Sequence, residues 1–499
     1  MEIGFEKSFE SRFRESARIV KRIQESAESV VPDTDADIGK IAAVQSAVLL
    51  KSKDLSGRGV LITGEARACV LCIDESREHV SCVRLAKPFS AEFEIAELTG
   101  EEQTQISLAV AATDARLLNP RKVSVTFELA AELSCYVPES VAVETALPGE
   151  SCRGLHVRCA ETELTLPNAV CEKSFVLSEQ FPLPAGSVKP ERLICEQTEL
   201  RADDCQLIGS KAVVKGRALI RAAWLGEDGS GPVQASFSAP FSQIIDIGAE
   251  TMDLCTVRPQ VTGAYYDLVD SISGEKVLDA EVHVLLQLVS RSRIRVRTVS
   301  DAYSNLTPIA LQTETLHYDG ADQRRTLRIS AAESVDLTED CADVRCVFPT
   351  LSRCALEGET LSAAANLDIL YCTGSGELSA VRRTLMLEGE CGPGKARLLT
   401  AGLAETDLRP AGKTMEARMT MEAELLYETE TEISSISAVT LDEEQAFDLS
   451  RFPSLTMVRR EGESLWEIAK RYHSSVEAIE ALDGGEQESR GMLLVPKSV

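Results

Sequence analysis

Four side chains in the first hundred residues are spaced as metal ligands. Cys69 and Cys72 form a Cys-x-x-Cys pair, and His79 and Cys82 follow within the next ten residues. Thiolates and imidazoles at such spacing can hold zinc. Yet Cys69 and Cys72 lie in the apolar run Cys69–Ile73, and on a strand positions i and i+3 face opposite ways. Buried core cysteines are the better reading, and no metal is expected. A second segment, Gly389–Ala396, nearly spells a phosphate-binding loop. Its last position needs a Ser or Thr hydroxyl to ligate magnesium, and Ala396 has none. A hairpin turn fits that segment better, and no cofactor is expected. No Gly-x-Ser-x-Gly elbow occurs, no carboxylate pair is placed for acid–base work, and histidine appears only five times. These absences point away from an enzyme.

The remaining candidate chemistry is recognition, and it lies in the last 45 or so residues. Thr456-Met457-Val458 reads as a strand and Glu461-Gly462-Glu463 as a turn. Ser464 with Glu467 three residues later forms a capping box for a first helix, and Ser474 with Glu477 one for a second. Leu465, Ile468, Ala469 and Tyr472 share one helical face, and Val476, Ile479 and Leu482 another. Asp483-Gly484-Gly485 stops the second helix, and Leu493-Leu494-Val495 is a closing strand. The order is βααβ. The family resemblance of this module implies a groove between Gly462, Glu463, Ser464 and Leu465 on one side and Leu482, Asp483 and Gly484 on the other, bordered by Gly491. Backbone amides there suit a sugar or a peptide edge. Glu463 and Asp483 make it acidic, which favours a partner with a basic patch. Trp466 reads equally as a sugar-stacking platform or as packing beside Leu465. His473 reads as a solvated linker residue.

The rest of the chain must position this module. It has 499 residues, an apolar fraction of 44% and a net charge of −27 spread along its length. That length suggests about three to five domains. So acidic a surface repels phosphate backbones and acidic membranes, so no nucleic-acid partner is expected. The stretch Met1–Ile23 mixes both charge signs without an apolar run, and no stretch of about 18 apolar residues occurs. Neither a signal peptide nor membrane insertion is expected. The fifteen scattered cysteines read as reduced thiols of a cytoplasmic protein.

Self-similarity organises the first 448 residues. Gly64 and Gly216 each precede a Pro-Phe pair, Pro88-Phe89 and Pro240-Phe241, by the same 24 positions. Each copy runs on to a lysine-led strand, at Lys122 and Lys276, and Glu6-Lys7-Ser8-Phe9 has an echo in Glu172-Lys173-Ser174-Phe175. A degenerate third copy has its first strand at Leu361–Tyr371 and its late strand from Lys413. The segment Met415–Leu425 alternates apolar and polar residues without a break, the pattern of a half-buried strand. The fold class expected is mainly β: three tandem β-sandwich-like repeats over 1–165, 166–312 and 313–448, then a small βααβ domain over 454–499. Within the repeats, Phe13–Ala27 is also open to a helical reading.

Two resemblances give these units names. Val31-Pro32-Asp33, Asp37-Ile38-Gly39-Lys40-Ile41, a short strand and Val60-Leu61-Ile62-Thr63-Gly64 resemble the start of a SPOCS domain, a family of spore-forming bacteria. The C-terminal module closely resembles a LysM domain. Gly462-Glu463-Ser464-Leu465, Ile468-Ala469 and Val495-Pro496 occupy that family's motif positions. Asp483 stands where the family has Asn, and Arg490 and Met492 stand where it has Pro and Gln around Gly491. The combination resembles the SPOCS-plus-LysM morphogenetic proteins of spore coats. The resemblance implies a non-enzymatic scaffold in the mother cell at the forespore surface, whose partner is the ATPase of the coat's basement layer. Peptidoglycan binding, through N-acetylglucosamine oligomers, is the alternative it implies.

Overall fold

The computed structural model describes residues 2–32, 35–96, 98–147, 154–184, 188–227, 231–272, 274–459, 462–483 and 492–497. The chain is mainly β, with two short α-helices near its C-terminus. After β1 (Glu2–Gly4), one strand pattern occurs three times. The first stretch holds β2 (Glu6–Val30), β3 (Ile38–Ser56), β4 (Gly59–Asp74), β5 (Val80–Glu94), β6 (Gln103–Asn119) and β7 (Lys122–Ala146). The second holds β8 (Leu155–Pro182), β9 (Pro190–Ile208), β10 (Lys211–Gly226), β11 (Val233–Asp246), β12 (Leu254–Asp270) and β13 (Lys276–Ser304). The third holds β14 (Ile309–Asp336), β15 (Cys341–Glu357), β16 (Thr360–Thr373), β17 (Leu378–Glu390), β18 (Lys395–Ala411) and β19 (Thr414–Leu441). In each stretch the second, third and fourth strands form one antiparallel sheet. The last strand pairs with the first on one side and the fifth on the other. An apolar core fills the space between the two layers in each case.

Local sequence explains this pairing. In β19 the alternating Met415, Ala417, Met419, Met421, Ala423 and Leu425 are all buried, as a period of two requires. In β2 the expected helix over Phe13–Ala27 is replaced by a strand. Ile19, Ile23 and Ala27 pack on the first core at a spacing of four. Four is close to one helical turn and is also a multiple of two, so the spacing alone fits both structures. Strand β8 runs across the expected boundary at 165/166, and β14 across that at 312/313. The Glu6–Phe9 echo explains the first shift. Phe9 pairs with Ala142 near the far end of β7, whereas Phe175 pairs with Val284 in the middle of β13. The two tetrapeptides are not equivalent.

The glycine landmarks, by contrast, sit in matching registers. Gly64 pairs with Phe89 and Gly216 with Phe241, each five residues into a hairpin. Each phenylalanine ring lies over its glycine. A Cβ on Gly64 would stand 2.4 Å from Phe89 Cζ, and one on Gly216 would stand 2.5 Å from Phe241 Cζ and 2.2 Å from the Arg201 carbonyl oxygen. The third hairpin has Ala365 opposite Leu385 at the corresponding place. The smaller partner leaves room for a methyl group. Gly64→Ala and Gly216→Ala are therefore expected to cost about 1–3 kcal/mol each, the usual penalty of overpacking. Urea unfolding checks this, and a loss below about 0.5 kcal/mol, the scale of a neutral surface change, would contradict it.

The outer strands of these sheets are long. At about 3.3 Å per residue, strands of 25 to 29 residues reach roughly 80–95 Å. Only half of each serves its own sandwich. Beyond it, the three paired ribbons β2–β7, β8–β13 and β14–β19 meet in shared cores, forming a stalk. Val141, Leu164, Leu166, Ile294, Val296 and Ile433 make one layer, and Ile3, Leu155, Val299, Ala302, Ile436 and Val439 the next. At the opposite end a further apolar plug joins all three stretches, with Leu71, Ile194 and Leu370 among its members. Hydrogen bonds link every pair of stretches. Gln287 exchanges two 2.7 Å bonds with the Ile106 backbone, Gln234 donates to and accepts from Val347, and Asp368 accepts from the Val44 amide at 3.0 Å.

Charge is buried where body meets stalk. Arg397 of β18 donates to Glu15 of β2 (2.9 Å) and to Glu132 and Ser134 of β7 (2.8 and 2.7 Å), with Glu428 of β19 at 3.4 Å. Arg258 of β12 reaches the same Glu132 at 3.1 Å. One cluster thus holds all three stretches. Finally, β1 pairs with β19 through Glu2↔Thr440, Ile3↔Val439 and Gly4↔Ala438, so the head of the chain is held by the third stretch. Among the described residues no helix is long and apolar enough to cross a membrane.

Candidate functional site

The C-terminal module consists of β20 (Leu455–Arg459), α1 (Leu465–Arg471), α2 (Val476–Asp483) and β21 (Met492–Pro496), with β20 and β21 antiparallel. Ser464 begins α1 as expected. Its hydroxyl accepts from the Glu467 amide, and the Glu467 carboxylate accepts from the Ser464 amide at 2.9 Å. These bonds hold the Glu467 carboxyl below its usual range. The second cap differs from the expected Ser474. Ser475 accepts from the Ala478 amide at 3.1 Å, whereas Ser474 is buried and its hydroxyl donates to the Pro496 carbonyl. Adjacent serines offer two N-cap positions; closure of Ser474 against β21 leaves the cap to Ser475, which has Ala478 three residues on and so caps without a reciprocal box. Ile468, Ala469, Ile479, Leu493 and Val495 fill the small core.

That core is completed from outside the module. Tyr303, near the end of β13, inserts its ring among these residues, and its hydroxyl donates to the Ser474 carbonyl at 2.9 Å. Trp466 meets the Tyr303 ring edge-on at 4.8 Å, lies under the Arg158 guanidinium at 5.7 Å, and donates Nε1–H to Asp301 at 2.7 Å. Lys470 adds bonds of 2.9 and 3.0 Å to the same carboxylate. Burial pushes the Asp301 carboxyl up, but the bonds from Lys470 and Trp466 outweigh it and leave the group below its usual range. Trp466 is thus packing, not an open sugar platform. His473 is no solvated linker either. Its ring lies 4.4 Å from that of Phe447 and 4.7 Å from that of Phe452, and burial lowers its basicity.

Half of the expected groove is described. Gly462 takes a left-handed φ of +87°, as its turn requires, and Glu463 forms an ion pair with Arg471 that offsets the acidity expected there. Ser464 is committed to its cap, Leu465 packs on the module core, and Leu482 is exposed. The side chain of Asp483, Gly484 and Gly491 lie outside the described residues. What the reading of motifs missed is the opposite surface. On the outer face of the β20–β21 pair, Leu455, Met457 and Met492 are large, exposed and apolar, with Leu494 between them in register and Arg459 at the end. The alternation Leu455-x-Met457-x-Arg459 was visible in the sequence. Which face would be covered was not.

The two chemical candidates also find their places. Cys72 lies in the first core, where burial pushes its thiol up to about 12, while Cys69 faces the plug and donates to the Ile194 carbonyl. Cys82 approaches Cys69, and His79 turns to Asp74 at 3.2 Å. Among the described residues no group of three or more His, Cys, Asp or Glu is arranged to hold a metal ion. Gly389–Ala396 is not the expected hairpin turn: it ends β17, crosses through residues 391–394 to β18, which pairs with β19 in a different sheet, and has Gly392 and Gly394 at positive φ. It leads into a strand rather than the helix whose N-terminus would face a phosphate. No family model, no curated protein and no solved structure matches the chain.

Proposed function

We propose that the chain is a non-enzymatic scaffold of the endospore coat. In this reading its three β-rich stretches are tandem SPOCS-like repeats and its C-terminal module is a LysM domain that recruits a protein partner. The observation that carries the proposal is the seating of the module. Tyr303, Asp301 and Arg158 hold it on the stalk end by its Trp466 side, and the apolar face of Leu455, Met457 and Met492 points outward. An exposed apolar patch fixed on a rigid support suits protein contact. The resemblance supplies the partner, the ATPase of the basement layer, and the place, the mother-cell cytoplasm at the forespore surface. The peptidoglycan reading is the weaker one, because the only tryptophan of the module is already engaged.

Truncation before Ser454 is expected to abolish co-purification of that ATPase while the β-rich body stays folded. Met457→Glu in the full chain should weaken capture by at least tenfold, equivalent to about 1.4 kcal/mol. A chitin-oligomer titration of the full chain runs beside the pull-down. Tight sugar binding together with unchanged ATPase capture by both variants would overturn the proposal.

A further inference from the structure

A cavity of about 1080 Å³, lined by all three stretches, borders the apolar plug at Cys69. That volume is at the upper end of small-molecule sites, which run to about 1,000 Å³. Its polar lining is unlike the rest of the protein. Six arginines and five carboxylates border it, in a chain whose net charge is −27.

Most of these charges are matched. Arg84 pairs with Glu196, Arg382 with Asp368, Arg116 with Asp114, and Glu199 with Arg201. Arg67 is held by Glu65 and by the Ala264 carbonyl. Two guanidiniums are left, with one exposed carboxylate, Glu128. Arg221 of β10 stands two residues before Ala223 of the plug, so strand alternation turns it towards the same interior. Arg353 of β15 sits in a bulge between Ser352 and Ala355, with a left-handed φ of +50°. Among the described residues neither guanidinium forms a hydrogen bond or an ion pair; Arg221 is half-buried and Arg353 exposed. Burial disfavours the Arg221 cation, and the nearby Glu199 offsets that only in part. A half-buried charge without a hydrogen bond, and a strained non-glycine residue at a bulge, both mark places where structure is held for a ligand.

We propose that this cavity binds a small molecule carrying a carboxylate or phosphate group, with Arg221 and Arg353 as its anion-recognising residues. A guanidinium takes either oxyanion through two parallel N–H bonds, which makes these two groups the class that fits. The site belongs to no single stretch. It exists only when all three are assembled, so its occupant would report on the assembled state.

The test is calorimetric titration of the full chain with citrate and, separately, with inorganic phosphate, at constant ionic strength set with chloride. At least one anion should bind. Arg221→Gln and Arg353→Gln should each weaken that binding by about tenfold or more, the worth of one charge-assisted hydrogen bond. Arg409→Gln, on the exposed end of β18, should bind as the parent does. Citrate binding alone assigns the carboxylate class, and phosphate binding alone the phosphate class. Arg221→Gln should melt no lower than the parent, since it removes a charge that has no hydrogen-bond partner, and this separates lost binding from lost folding. Failure of both anions to bind in the millimolar range, or parental binding by both cavity variants, would overturn the assignment.

Discussion

Replacing Arg397 with leucine is expected to destabilise the protein by about 3–5 kcal/mol, the cost of breaking a buried ion-pair network by removing one partner. Arg397 is 7% exposed and faces Glu15, Glu132 and Glu428. Arg258 still compensates Glu132 and Arg18 still holds Glu428 at 3.1 Å, so Glu15 is the carboxylate left without a cation. The three acids and two bases come from all three stretches, and the loss therefore falls on their assembly rather than on one sandwich. Urea unfolding should show a lower midpoint, with the stretches beginning to separate before each melts. Arg397→Lys keeps the charge but cannot serve three acceptors in one plane, and should fall between parent and leucine variant. Acid acts in the same sense. Burial raises the Glu132 carboxyl, but Arg258 and Arg397 together hold it below its usual range. Its contribution is complete at neutral pH and fades as pH falls through that lowered value. A loss below about 1 kcal/mol in Arg397→Leu, the scale of an exposed ion pair, would refute the role given to this cluster.

Tyr303→Ala is expected to release the C-terminal module from the stalk while leaving the body intact. The ring is 3% exposed, and truncating a buried aromatic costs about 3–5 kcal/mol. Here most of that cost is borne by the contact between module and stalk, because Tyr303 belongs to β13 but lies in the module core. Limited proteolysis should cut the segment between Leu441 and Leu455 much faster than in the parent, and scattering should report a more extended particle. Tyr303→Phe loses only the bond to the Ser474 carbonyl, about 1 kcal/mol, and should stay docked. Asp301 makes the same seat sensitive to acid. Its carboxyl is held low, so its bonds to Lys470 and Trp466 persist at neutral pH and fail only as pH drops through that value. Unchanged cleavage in Tyr303→Ala would show that the seat is held elsewhere.

The parts of this structure that were legible in the sequence are those fixed by neighbours along the chain. The alternation of Met415–Leu425 needs only a period of two to place six side chains in a core. The Gly–Pro spacing of 24 is the arithmetic of a hairpin that brings Gly64 to Phe89 and Gly216 to Phe241. The Ser464 cap needs only Glu467 three residues on. What failed depended on distance. The Ile19, Ile23, Ala27 spacing is ambiguous until the partner strand β7 is known. Trp466 reads equally as a platform or as packing, and the residues that decide it, Asp301 and Tyr303, lie over 160 positions away. Nothing local to either segment announces the other. The same holds for the cavity, since Arg221 and Arg353 share it only because three separate sheets converge.

The pairing of β1 with β19 also sets a timetable. Residues 2–4 leave the ribosome about 430 residues ahead of their partners 438–440. At about 5–20 residues per second, roughly 20–90 s pass before those partners have been made. Until then Glu2–Gly4 has no strand to pair with, and the layer that takes up Ile3 lacks Ile436 and Val439. Docking of that segment waits for the third stretch, and a nascent chain stalled before residue 438 would keep Glu2–Gly4 accessible to a chaperone or a protease.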